Sequence, residues 1–335
     1  MTMKRLYILL CAALMLCAAC DNKQTLEKKG SSGKTLEMLI VANKDVYRGD
    51  TKQMVDSLFR RPQVGLPQPE PMFDVVNIPI SSFENTEMFR VHRNVVICDV
   101  KADNPDKVYI YRDKWAAPQV VFELAASSHA SLDTMLTHYA DRIVSEMYQA
   151  DYRRIAKAFR GTKGYEQVAA IEKQYGFSLT VSNEFEIARP ANESPDFAWI
   201  RKEAKDFGLG VLVHVSDYGD ASVFDEARIL DHLDTLMRQH IPGPSDSSYM
   251  GTERRAEIVS RVVQFNDCKY AVETRGCWRL FGDFMGGPFV CYTLLDPTGH
   301  QVITLTGYVY CPRFDKRDYL MQVDGICHSL TFAKK

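Results

Sequence analysis

Apolar residues recur along this chain in two periods, and the switches between them lay out the elements. Leu36–Ala42, Phe73–Ile78, Val91–Val100, Lys107–Tyr111 and Gln119–Leu124 read as strands, rich in β-branched and aromatic residues. Met54, Val55, Leu58 and Phe59 make one helical face, with Asp50 placed to cap it. Leu132, Leu136, Tyr139 and Ile143 recur at spacings of 4, 3 and 4, a core stripe on a helix that opens near Ser131 behind a Ser127-Ser128 turn. A second helical region over 152–175 breaks at Gly161-Thr162-Lys163-Gly164. Strands follow at Phe177–Ile187, Phe197–Lys202 and Gly210–Val215. Val223–Gln239 returns to helix and ends at Pro242-Gly243-Pro244. Pro62, Pro67, Pro69 and Pro71 mark the segment between the first helix and the second strand as extended loop: a rigid connector, or a partner-binding segment.

The last hundred residues alternate most clearly. A helix over Glu253–Val263 precedes strands at Ala271–Thr274 and Trp278–Phe281, a Gly-rich turn at Gly282–Pro288, and a hairpin of Phe289–Leu295 with Val302–Cys311 around Asp296-Pro297-Thr298-Gly299. Ile303, Leu305, Val309 and Cys311 share a core face; Thr304, Thr306, Tyr308 and Tyr310 share a wetter one. Asp315 caps a final helix whose Leu320, Val323, Ile326, Cys327 and Leu330 face the sheet. The fold class expected is α+β, antiparallel sheets with helices packed on one face. Tyr109–Met147 and Trp199–His240 share a strand–strand–helix order in which His138 would match His232, so two related halves remain open.

The N-terminus changes the picture. Lys4-Arg5 precedes Leu6–Ala19, a run without charge whose 14 residues span about 21 Å as a helix, too short for a bilayer core of about 30 Å. Basic, then apolar, then small is the order of a secretory signal. The run ends Leu16-Cys17-Ala18-Ala19-Cys20, which resembles a bacterial lipobox although Cys17 stands where leucine is usual. That resemblance makes 1–19 a lipoprotein signal peptide and Cys20 the lipidated first residue, carrying more than one palmitate-like acyl chain, as stable anchoring requires. A simple cleaved signal with a chance cysteine is the alternative. Asp21–Lys34 holds a single leucine and reads, within 20–35, as a flexible tether. The remainder divides into lobes of 36–175 and 176–335. Overall charge is −2; loss of Lys4 and Arg5 leaves 39 basic against 43 acidic residues, net −4. No field of that sign holds nucleic acid or draws the body onto anionic lipid.

Tests for chemistry return little. Of nine cysteines, six lie beyond Cys20, and strand pairing through the Gly-rich turn makes Cys277 and Cys291 the candidate disulfide, against the plainer reading of buried thiols. No CxxC, zinc spacing or GxSxG occurs. His232 and His240 sit two turns apart, His214 lies in an apolar strand, and His328 follows Cys327 on diverging helical directions. Glu184 and Glu186 share a strand face, as alternate charges on a solvated strand or, less commonly, a glycosidase pair. Trp115, Trp199 and Trp278 fit a core better than a sugar-stacking face. No catalytic residue, cofactor or metal ligand is assigned.

Arg275-Gly276-Cys277-Trp278, Gly286-Gly287-Pro288-Phe289 and Gly307-Tyr308-Val309-Tyr310-Cys311-Pro312, taken with the lipobox, resemble an uncharacterised family of Bacteroidetes lipoproteins, and the last hairpin and helix are similar to a PsbP-like α/β sandwich. The resemblance implies a cell-envelope lipoprotein. With a single acid after Cys20, it implies an outer-membrane anchor facing the periplasm. The leading reading is a non-enzymatic binding or scaffolding protein whose partner is an unknown envelope protein or a glycan. An exported hydrolase assembled only in the fold, and a glycan-binding module, remain as alternatives.

Overall fold

The computed structural model describes residues 28–189, 195–245 and 247–333. It is an α+β chain whose described residues form two large sheets, a small two-stranded one and two lobes. The first lobe contains β1 (Glu37–Val41), α1 (Gly49–Phe59), β2 (Asp74–Ile78), short helices α2 (Ile80–Asn85) and α3 (Glu87–Arg90), β3 (Asn94–Val100), β4 (Lys107–Arg112), β5 (Val120–Ala126) and α4 (His129–Gly161). Its strand order is β2-β1-β3-β5-β4, parallel except for the β4–β5 pair. This departs from the expected antiparallel sheets. The cause is legible in β1, β3 and β5, which are nearly continuous apolar runs rather than alternating ones, as parallel strands covered on both faces are. Met38, Ile40, Val96 and Phe122 pack under α1 and α4, while Leu39, Val41, Val95 and Val121 pack under Phe83 and Phe89 of α2 and α3.

The second lobe runs α5 (Tyr165–Tyr175), β6 (Phe177–Ser178), β7 (Glu186–Arg189), β8 (Phe197–Glu203), β9 (Gly208–Asp217), α6 (Glu226–His240), β10 (Tyr249–Thr252), β11 (Val259–Val262), β12 (Tyr270–Phe281), β13 (Gly286–Leu295), β14 (Gln301–Tyr310), α7 (Arg317–His328) and β15 (Thr331–Phe332). Here the large sheet is antiparallel, in the order β10-β12-β13-β14-β9-β8-β7 with β11 beside β12. Helices cover both faces, not one. α7 lies on Ile303, Leu305 and Val309, and α6 on Leu212, Phe289 and Tyr308, so the face of β14 expected to be wetter is buried too. The expected helix over Glu253–Val263 is a turn followed by β11, because tertiary pairing to Val272–Arg275 overrides a short helical pattern. The expected strand over Phe177–Ile187 is two short pieces, β6 and β7. The two strands expected over Ala271–Phe281 are one, β12. Both lobes contain a hairpin followed by a helix, but the sheets around those units differ in pairing.

Ile171 of α5 packs in the core of the large antiparallel sheet. α4 is about 50 Å long and serves both lobes. Ser128 caps it by accepting from Ser131 N. α7 crosses α4 at Gly325, where a Cβ would stand 2.9 Å from Ile155. Finally, 28–34 is not free tether. Ala117 N donates to Lys29 O, Ser32 N to Val91 O, Arg93 N to Ser32 O, and Arg154 Nε to Ser31 Oγ. Polar composition does not release a segment whose backbone finds partners on the body. The expected signal peptide over 1–19, Cys20 and residues 21–27 lie outside the described residues.

Neither expected acidic cap is seen. Asp50 sits inside the first turn of α1, and α7 is capped by Glu70 from the proline-rich loop instead of Asp315: Lys316 N and Arg317 N each donate to its carboxylate at 2.8 Å. Glu70 is 7% exposed, so Glu70→Ala leaves two buried N–H groups unpaired. The expected loss is about 2 kcal/mol in urea unfolding, with Glu70→Gln recovering part of it.

Candidate functional site

The proline-rich loop, α4 and the β11–β12 edge enclose a cavity of about 720 Å³, within the usual size of small-molecule clefts. Gly65 allows the loop this close. Its φ is +83°, and a Cβ there would stand 3.1 Å from Arg275 Cβ. One wall is α4, with two stripes at four-residue spacing. Asp141, Ser145 and Gln149 are polar; Val144, Tyr148 and Tyr152 are apolar or aromatic. The opposite wall is Val259, Arg261, Val262, Val263 and Gln264.

The floor is an ionic network. Arg275 Nη2 donates to Glu273 Oε2 at 3.0 Å and to Asp324 Oδ2 at 2.6 Å. Arg261 Nε donates to Glu273 Oε1 at 2.8 Å, and Tyr152 Oη to Asp324 Oδ2 at 3.0 Å. The Tyr292 hydroxyl lies 2.6 Å from Asp324 Oδ1, 3.0 Å from Glu273 Oε2 and 3.0 Å from His328 Nε2. With one proton for two carboxylates, the shortest contact assigns it to Asp324, and His328 Nε2–H then donates to the phenol oxygen. His328 is clamped between the Tyr152 and Phe265 rings, at 4.0 and 4.5 Å between centroids.

Burial and the two guanidiniums together set the protonation states. Burial would raise the Glu273 carboxyl, but the Arg275 and Arg261 guanidiniums more than offset it and hold it at about 2. Burial takes His328 down to about 4 against the opposing pull of Asp324 and Glu273. Burial lifts Tyr292 and Tyr152 well above the usual phenol range. None of these four is poised near neutrality, where a general acid or base works best.

The residues singled out from the sequence lie elsewhere. Cys277 and Cys291 do not form the expected disulfide. Cys277 stands opposite Pro288 and Cys291 opposite Thr274, three positions apart on the ladder, so their side chains leave opposite faces of the sheet. All six described cysteines are free thiols, and burial lifts Cys98 to about 12 and Cys291 to about 11. Glu184 and Glu186 pair with Lys202 and Arg201 on an exposed edge. His214 and His232 meet at 3.2 Å under α6, and burial followed by the neighbouring His232 takes His214 down to about 4. Among the described residues no group of three metal-ligating side chains converges, and no helix is long and apolar enough to cross a membrane. Trp278 is core, its indole N–H donating to Val309 O.

Sequence reasoning missed the network. Its signal was present: Glu273 and Arg275 share the face of Ala271 on β12, and Asp324 stands among Leu320, Val323 and Cys327 on the buried stripe of α7. Charge on an inward-facing position calls for a partner.

Residues 165–329 match the model of a domain of unknown function, DUF4837, and residues 31–160 that of a second, DUF8532. The two meet where α4 ends. No curated protein matches the chain. Among solved structures, one match is the crystal structure of LpqN involved in cell envelope biogenesis of Mycobacterium tuberculosis. It is 14% identical over 46% of this chain and 82% of that one, with a TM-score of 0.29. That overlap is too loose to carry anything from one protein to the other.

Proposed function

We propose that the chain is a bacterial envelope lipoprotein of the Bacteroidetes type. It is cut before Cys20, acylated on that thiol and held at the outer membrane facing the periplasm. It acts without catalysis by binding a small molecule in the cavity between its lobes. The placement is supported by the order of the first twenty residues. The binding role is carried by one observation: the ionisable groups on the cavity floor are paired with one another. Such a floor orients a ligand but offers neither a free nucleophile nor a base.

The test uses the full chain expressed in its own signal context. Cys20→Ala is expected to move the protein from the membrane to the soluble fraction. Native mass spectrometry of detergent-extracted protein is expected to find a small molecule that Ser145→Trp displaces by filling the cavity from an exposed position on α4. An alanine variant that still sediments with membranes overturns the anchoring. A wild-type cavity that carries nothing overturns the binding role.

A further inference from the structure

We infer that this cavity takes a neutral saccharide, a short chain of hydroxyl-bearing rings, an inference that rests on the cavity being a ligand site. The first argument is charge balance. Three cations and three anions line or underlie the space, and each is already matched. Arg61 lies 3.8 Å from Asp141, Arg261 2.8 Å from Glu273, and Arg275 3.0 and 2.6 Å from Glu273 and Asp324. A ligand with net charge would compete for one member of a pair. At the floor, where Glu273 and Asp324 are buried, separating a pair strands an unpartnered charge, which is strongly unfavourable. A neutral ligand leaves every pair intact.

The second argument is the kind of hydrogen bond on offer. Ser145 and Gln149 on α4 and Gln264 after β11 line the space, and among the described residues no hydrogen bond engages their side chains. Hydroxyl and carboxamide groups both donate and accept. A sugar hydroxyl does the same, so vicinal hydroxyls match a surface of mixed groups better than a carboxylate, which only accepts, or an ammonium, which only donates. The third argument is alternation. Along α4 the polar stripe of Asp141, Ser145 and Gln149 runs beside Val144, Tyr148 and Tyr152, and Val259 and Val262 stand across from them. A pyranose presents hydroxyls at its rim and C–H bonds on its faces, which is the same alternation.

The decisive experiment is binding of the full-length protein in detergent to an array of neutral, acidic and amino oligosaccharides, followed by calorimetric titration of what is retained. Neutral glycans are expected to bind. Gln149→Ala and Gln264→Ala, both at exposed positions, should weaken binding by about three- to tenfold each without lowering the melting temperature, and Ser145→Trp should abolish it. Retention of charged glycans alone, binding indifferent to Ser145→Trp, or no retention at all overturns the inference. Native mass spectrometry of the same preparation separates the two failures. A non-carbohydrate molecule displaced by Ser145→Trp sinks the saccharide and leaves the binding role standing, whereas an empty cavity sinks both.

Discussion

Replacing Arg275 with leucine should lower the unfolding free energy by about 3–5 kcal/mol, one of the largest effects expected of a single substitution in this chain. Arg275 is 5% exposed and is the shared donor of Glu273 and Asp324, themselves 4% and 1% exposed. Its removal leaves Asp324 with the Tyr292 and Tyr152 hydroxyls and the neutral His328 ring at 3.7 Å, and Glu273 with Arg261, whose side chain is 64% exposed. The cost comes from stranding the carboxylates rather than from losing attraction in the folded state. The triple change Glu273→Gln, Arg275→Met and Asp324→Asn should therefore recover most of the loss, because the one charge left unpaired, Arg261, is solvated. Urea unfolding of the single and triple variants checks this. A single variant within 1 kcal/mol of wild type would mean that the network is solvated and its pairing energetically idle.

Acid should destabilise the fold in two windows. His328 titrates at about 4 in the folded protein against 6.5 when free, so the unfolded chain binds more protons between those values. The stability this histidine contributes is complete above pH 6.5 and is lost as pH falls towards 4. It amounts to at most about 3 kcal/mol. His214 behaves in the same sense. Glu273 follows below: held at about 2 against 4.5, it adds stability above pH 4.5 that disappears as pH falls to 2. The melting temperature should thus be level above pH 7, fall between 6.5 and 4, and fall again below 4.5. His328→Phe should flatten the upper window in part, leaving the His214 component. A flat profile between pH 7 and 4 would refute the burial of these imidazoles.

The two results share a cause, which also explains why the site was hidden in the sequence while most elements were not. The break at Gly161–Gly164, the stripe of Leu132, Leu136 and Ile143, and the β13–β14 hairpin depend on local periodicity and turn residues, and the structure has them. The errors were tertiary. Glu253–Val263 has helical spacing but pairs with β12. Asp315 was the nearest acid to the start of α7, yet Glu70, 246 residues from Lys316, reaches it first. Pairing through the Gly-rich turn predicts Cys277 opposite Cys291, and the observed register sets them three positions apart on opposite faces.

What the amino-acid order determined alone is the address at residues 1–20 as an expectation, the α+β class, and the faces that hydrophobic period selects, because each depends on neighbours within a few residues. What only the folded chain decided is the site. Tyr152 and Asp324 are 172 residues apart and joined by one hydrogen bond, and Arg275 is fixed as a cation by two carboxylates from different elements. A charge takes its protonation state and its partners from what surrounds it in space and from how much water is excluded, and neither quantity is a property of adjacent positions.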